Sequence, residues 1–377
     1  MARVTATQLP QVRGAMLGLM LGDAIGATGG KVPDDGLLPS TCAGQLACYT
    51  VEGLIRAWIR ADLKGICHPP SVVWHAYHRW AAGQMILGIK RWGSPDEAWP
   101  DGWLADVPAL AQRRGSAPAT VSALQQQVAG TLQEPVGASL GAHALTRSLP
   151  AGIGEWGTYP GSLAAEIAAL THRGEAVSAA AVGATIIGFA TDGRSVSHSV
   201  EDARKLWASR HLEAELTAED KLAAAAMGPA TAALEAASTA ARSSPGRRSV
   251  LGRLAPDRRA VSALAGGLYV ALSATVGRSS PPGPDDLRTA LLLAARAGNG
   301  AHAAAVAGAV LGAAHGVDAL PVDWLSRLEL AWVADSLAHD TVRQFTEHPA
   351  GADLLFLAEV MKQPDTDPNW RRRYPGW

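Results

Sequence analysis

Four glycines recur at four-residue spacing, Gly14, Gly18, Gly22 and Gly26, inside the apolar segment RGAMLGLMLGDAIGA. At 3.6 residues per turn this spacing puts them on one face of a helix. With no Cβ on that face, a second helix backbone can approach closer than side chains ordinarily permit. The segment AVAGAVLGAAHG repeats the device with Gly308 and Gly312. Both helices therefore belong at the centre of the fold rather than on its surface.

The rest of the chain agrees with a helical core. Of 377 residues, 48% are hydrophobic and only 5% aromatic, Ala and Leu dominate, and β-branched runs are short, a balance that favours helix throughout. The expected fold class is all-α, one compact domain over residues 1–362 with a C-terminal tail at 363–377. Pro and Gly clusters at Val32–Pro39, His68–Pro70, Trp92–Pro108, Arg242–Arg259 and Gly277–Asp286 mark connections, and none divides the chain by composition. The apolar runs Ala15–Ala27 and Ala303–Ala314 are too short to span a bilayer, so no membrane association is expected.

Charge excludes one class of function. With 33 basic against 34 acidic residues the net charge is -1, so no bulk field draws the chain to nucleic acid, and nucleic acid is not expected as a partner. Two local features stand apart: the basic segment SSPGRRSVLGRLAPDRR (Ser243–Arg259), read as a surface loop, and the tail NWRRRYPGW (Asn369–Trp377), read as an anchor packing its tryptophans on the body. Three cysteines, Cys42, Cys48 and Cys67, are an odd set without metal-type spacing and fit a cytoplasmic protein.

Several islands, in order along about four-fifths of the chain, resemble the ADP-ribosylglycohydrolase family. They are RGAMLGLMLGDAIGA (Arg13–Ala27), AGQLACYTVEGLIRA (Ala43–Ala57), AYHRWAAG (Ala76–Gly83), SAPATVSAL (Ser116–Leu124), GAHALTRSLPAGI (Gly141–Ile153), AAEIAALTHRGEAV (Ala164–Val177) and the stretch Thr289–Leu325. The resemblance implies a compact all-α domain whose active members cleave the glycosidic bond between ADP-ribose and a protein side chain. It also implies a pair of Mg²⁺ ions held between two Asp-containing helix starts. Mg²⁺ is a hard cation that needs carboxylate and hydroxyl oxygens, and two such ions can orient ribose hydroxyls and activate a water.

Alignment on Gly44 and Leu54 puts the family's Thr-Asp-Asp-Thr motif on Ala47, Cys48, Tyr49 and Thr50, and alignment on Gly308 puts Asp-x-Asp-Thr on Asn299, Gly300, Ala301 and His302. All four aspartates are missing. The acid expected near Gly30 is missing too, and of the phosphate-cradling loop, on Gly141–Arg147, only the first glycine and Arg147 remain. Removing the carboxylates should abolish Mg²⁺ binding, so no cofactor is expected.

The residues left as pocket candidates are Asp23, Cys48, Tyr49, Thr50, His143, Arg147, Asn299 and His302. Cys48 and His302 are the raw material of a nucleophile and base but lack a third orienting group. Plain structural roles are expected instead: burial for Cys48, a satisfied polar role capping a helix or lining a cavity for His302, a cap within the opening turn ahead of pocket lining for Asp23, and an N-terminal helix hydroxyl for Thr50. Arg147 holds a helix end through carbonyls or contacts a phosphate; His143 blocks a nucleotide or donates to an anion. The expected function is a pseudoenzyme binding a small nucleotide-like ligand or a protein partner. The alternatives are a hydrolase with a rebuilt, magnesium-independent site, and a purely structural partner-binding protein.

Overall fold

The computed structural model describes residues 4–92, 96, 98–154, 161–210, 228–351 and 366–375. The expected domain boundary between 362 and 363, and Trp377, lie outside the described residues. Among those described there is no strand, only two isolated β-bridges, Leu38 to Leu328 and Gly141 to Arg259. Among the described residues the α-helices of six residues or more are α1 (Leu9–Ala27), α2 (Cys42–Lys64), α3 (Pro69–Gly83), α4 (Pro118–Gln126), α5 (His143–Ser148), α6 (Ser162–Ala169), α7 (Glu175–Thr191), α8 (Val196–Arg210), α9 (Gly228–Ser243), α10 (Arg248–Leu254), α11 (Ala260–Thr275), α12 (Pro284–Ala294), α13 (Gly300–His315), α14 (Ala331–Glu347) and α15 (Pro368–Arg373). The all-α expectation holds. None of the described helices is long and apolar enough to cross a membrane.

Glycine spacing decides the centre. Helices α1 and α13 run antiparallel with backbones in contact, Gly14 against Gly312, Gly18 against Gly308, Gly22 against Ala304 and Gly26 against Gly300. A Cβ on Gly18 would drive into the Gly308 carbonyl oxygen, and a Cβ on Gly308 into that of Gly18. Such spacing brings Cα–H groups within reach of facing carbonyls, a weak attraction repeated along the seam. Each mid-helix glycine costs about 1 kcal/mol relative to Ala in propensity, and close packing of both helices offsets that cost. Around this pair, α11, α12 and α7 pack on α13, α14 packs on α1 and α2, and α3 packs on α2.

The basic segment departs from the expectation of a loop. Residues 248–254 form α10, because Val250 and Leu251 are buried against the body and anchor it while Arg248 and Arg253 stay exposed. The tail is held by its aromatics. Trp370 is buried and its Nε1 donates to Gln344 Oε1 at 2.8 Å, the buried Tyr374 donates to Asp340, and the Arg373 guanidinium lies 3.8 Å from the centre of the Trp103 ring.

The glycine seam makes a sharp prediction. Gly18→Ala should lower the urea unfolding free energy by roughly 1–3 kcal/mol or more through overpacking. Gly252→Ala, on the exposed face of α10 where a Cβ meets nothing within 4 Å, should be neutral or stabilising by up to about 1 kcal/mol. Equal effects at the two positions would refute backbone contact as the reason for the spacing.

Candidate functional site

The seam fixes where two other helix starts meet. Because Gly26 packs on Gly300, the last turns of α1 lie beside the first turn of α13, and Asp23 in those turns reaches the start of α2. Asp23 is fully buried; its Oδ2 accepts from the Thr41 backbone N–H and its Oδ1 from the Thr41 hydroxyl, both at 2.6 Å. Thr41 in turn caps α2 by accepting from the Ala43 N–H at 3.1 Å. The expectation of a cap within Asp23's own opening turn is therefore corrected. Asp23 lies late in α1 and braces the cap of a neighbouring helix. Burial pushes its carboxyl up to about 6, against the lowering effect of the two Thr41 hydrogen bonds.

The start of α2 also corrects the sequence alignment. The helix begins at Cys42, so Ala47, Cys48, Tyr49 and Thr50 lie in its second and third turns, and the residues at its head are Thr41, Cys42, Ala43 and Gly44. Thr50 is accordingly not an N-terminal hydroxyl. It is buried mid-helix, donates to Leu46 O at 3.0 Å and shares a 2.7 Å hydrogen bond with the Tyr77 hydroxyl. The Pro-Ser-Thr punctuation before Cys42 was the available signal, since a Ser or Thr ahead of an apolar run marks a cap. The corrected head carries no carboxylate either.

Helix α13 begins where the sequence placed it, with Asn299 at the N-cap position. The Asn299 side chain makes no capping hydrogen bond, so the first-turn N–H groups have no side-chain cap. His302, one turn in, is buried, and its Nδ1 shares a 2.7 Å hydrogen bond with the Thr146 hydroxyl of α5. The ring of His143, first residue of α5, stands edge-on to it at 4.8 Å. His172 is buried nearby, its Nδ1 paired with Thr171 Oγ1 at 2.7 Å. Burial holds all three imidazoles neutral: His143 falls to about 4, helped by Arg147, and His302 and His172 fall well below the usual histidine range. His143 Nδ1 is buried with no partner among the described residues.

Arg147 is wholly buried and largely spent. It donates to Thr120 Oγ1 at 2.7 Å, to Ile167 O at 3.2 Å and to Thr171 Oγ1 at 2.7 Å, and its guanidinium carbon lies 4.7 Å from the centre of the Tyr77 ring. It therefore ties α4, α5 and α6 together. Thr120, Thr146 and Thr171 were not among the pocket candidates, because segments remote in sequence bring them together, and His172, which the resemblance places at a helix terminus in a structural role, lies just after α6.

The candidates divide into two groups. Asp23, His143, Asn299 and His302 gather around the facing helix starts, with Thr50 joined to them through Tyr77 and Arg147. Tyr49 faces a separate buried ionic cluster, in which Glu52 pairs with Arg56 and Arg79, and Arg56 with Asp101 at 2.9 Å. Burial, then Glu52, raises the Tyr49 phenol. Cys48 is fully buried, and burial together with Asp23 pushes its thiol up to about 12, the reverse of what a thiolate nucleophile requires. No described hydrogen bond links it to His302.

The fit of this site to Mg²⁺ can be judged from its donors. The two helix starts supply Thr41, Cys42, Ala43 and Gly44 on one side and Asn299, Gly300, Ala301 and His302 on the other. Asp23 is the carboxylate that these contacts bring to the helix starts among the described residues, and both of its oxygens are held by Thr41. Where the acid near Gly30 was expected, a guanidinium lies instead: Arg296 Nη2 donates to Gly30 O at 3.3 Å, and a Cβ on Gly30 would stand 2.9 Å from Arg296 Nε. Among the described residues no group of three or more His, Cys, Asp or Glu side chains is placed to hold a metal ion. This donor set does not fit a pair of hard cations.

The described body is helical throughout, and polar side chains gather where the end of α1 meets the starts of α2 and α13. Residues 5–351 match the family described as ADP-ribosylglycohydrolase, and the chain belongs to that family. A solved structure described as an ADP-ribosylglycohydrolase-related protein complex is similar over 90% of this chain and 99% of its own, at 22% identity and a TM-score of 0.55. That likeness supports the fold. Comparison with curated proteins gave no match.

The Asp23 carboxyl predicts a pH effect with a definite sign. Its folded value of about 6 lies above the ordinary 3.8, so its contribution to stability is fully present below the ordinary value and is lost as pH rises through 6. The unfolding free energy of the parent minus that of Asp23→Asn should fall by about 2 kcal/mol between about pH 4 and about pH 7. A difference that stays flat across this range would show that Asp23 titrates normally.

Proposed function

We propose that this chain is an ADP-ribosylglycohydrolase-family protein that has given up Mg²⁺-dependent ADP-ribosyl hydrolysis and serves as a ligand- or partner-binding pseudoenzyme. The observation that carries this reading is the chemistry at the two facing helix starts. They present hydroxyl, thiol, amide and imidazole groups, and the expected acid near Gly30 is replaced by the Arg296 guanidinium. A cation pair brought there would meet one engaged carboxylate and a positive charge, and would lose more hydration than it gained.

The pocket's remaining character suits a small nucleotide-like ligand better than catalysis. Three neutral imidazoles, the Asn299 amide and the uncapped N–H groups of α13 offer hydrogen bonds without a nucleophile or a charged general acid. Partner binding elsewhere on the surface is compatible with the same scaffold. Three free cysteines fit a reducing compartment and therefore the cytoplasm.

Purified protein should release no ADP-ribose from peptides modified on arginine or serine, with or without Mg²⁺, and ADP-ribose titrated calorimetrically should bind no more tightly when Mg²⁺ is added. Release that requires Mg²⁺ and stops with EDTA would overturn the proposal. Turnover that ignores EDTA and disappears in His302→Gln would replace it with a rebuilt, magnesium-independent hydrolase.

A further inference from the structure

At the opposite end of α13 from Asn299, about 24 Å along the helix axis, lies a cavity of about 530 Å³ between the start of α8 and the ends of α9, α11 and α13. This volume falls in the range of small-molecule sites, and the site discussed above contributes none of its lining.

The lining chemistry is selective. Val196, Val200, Leu272, Val276 and Pro281 give the cavity an aliphatic lining, and among the described lining residues there is no Phe, Tyr or Trp, which leaves the His315 imidazole as the one aromatic ring. Val276 is 40% exposed, which leaves an apolar side chain wet unless something covers it. Four charged or titratable residues line the same space. Glu201 is paired with Arg204 at 2.7 Å, and Arg278 makes two hydrogen bonds to Asp286 at 2.9 and 2.8 Å. Arg242 has no carboxylate partner among the described residues; its one hydrogen bond is a long 3.4 Å contact to Thr239 Oγ1. Burial lowers the His315 imidazole below the usual histidine range, and its Nε2 is buried without a partner among the described residues. The hydroxyl of Ser238, also in the lining, makes no described hydrogen bond.

We propose that this cavity is a second ligand site, for a small aliphatic monocarboxylate whose chain lies on the valine and leucine lining and whose carboxylate is held by Arg242, Ser238 and His315. One unspent guanidinium matches one negative charge, and the neutral imidazole and the hydroxyl complete the carboxylate's hydrogen bonds. A phosphate dianion would find only half the charge it needs. An aliphatic amine would meet the unpaired Arg242 and be repelled.

Octanoate is the probe, titrated calorimetrically into the full chain, with octylamine and octanol as comparisons of similar length. Octanoate should bind saturably with one-to-one stoichiometry. Arg242→Gln should weaken it roughly tenfold or more, and Ser238→Phe, which removes the hydroxyl and puts a ring where the carboxylate would be held, should weaken it at least as much. Arg248→Gln, which removes an unpaired exposed arginine on α10, should leave it unchanged. Circular dichroism confirms that each variant folds, and all three positions are at least partly exposed. Failure of octanoate to bind at millimolar concentration, equal binding of octylamine or octanol, or affinity unchanged in Arg242→Gln would overturn the assignment.

Discussion

Everything in this molecule is referenced to the contact between α1 and α13. Because the glycines let the two backbones touch, the helices have one register: a slip of one residue would put a Cβ into a carbonyl oxygen. That register sets the end of α1 beside the start of α13, and so places Asp23, Asn299 and His302 relative to one another before any polar interaction is made. The site is positioned by packing. Its chemistry can change without loss of the fold, which explains how the scaffold remains legible where the carboxylates do not.

The loss of carboxylates that the proposed function supposes is consistent with electrostatics. A cluster of buried carboxylates is tolerable while cations neutralise it, and each becomes costly once they are gone, since an unpaired buried charge costs several kcal/mol. A chain that loses the ions therefore gains stability by losing the acids as well. The replacements have that character: Cys42, Ala43, Ala301 and Asn299 carry no charge, and burial suppresses the charge on His302. Asp23 survives because its role differs. It holds the cap of α2 through two short hydrogen bonds, and those remain useful with no metal present.

Much of the fold was legible because it rests on local signals. The spacing of Gly14 to Gly26 and of Gly308 and Gly312 marked the two central helices, and the start of α13 at Asn299 was read correctly. The start of α2 was misplaced by six residues, because alignment on Gly44 and Leu54 took a helical spacing for a helix start and passed over Thr41, whose capping role depends on Asp23 from another helix. The basic segment reads as a loop because its few apolar residues, Val250, Leu251, Leu254 and Ala255, are outnumbered by arginines and punctuated by Gly and Pro, and Val250 and Leu251 become a buried face only against the body. The candidate site was legible only in outline. Tyr49 belongs to the Glu52 cluster, and the Thr120, Thr146 and Thr171 hydroxyls that complete the polar wall come from α4, from α5 and from the turn after α6.

The position of Arg147 limits what the inherited pocket can still recognise. In a loop expected to cradle a diphosphate it is the best-preserved charge, yet its terminal nitrogens are committed to Thr120, Ile167 and Thr171 and its face covers Tyr77. Releasing it toward a phosphate would strand those partners in the core, each at a cost of about 1–3 kcal/mol. An anion entering between α5 and α13 would therefore be met by the His143 ring, the Asn299 amide and the N–H groups of α13, all of them neutral. Neutral donors hold a diphosphate less tightly than a guanidinium or a metal does, and they discriminate by hydrogen-bond geometry more than by charge. Under the proposed function, recognition at these helix starts would therefore rest on shape and hydrogen bonding more than on charge.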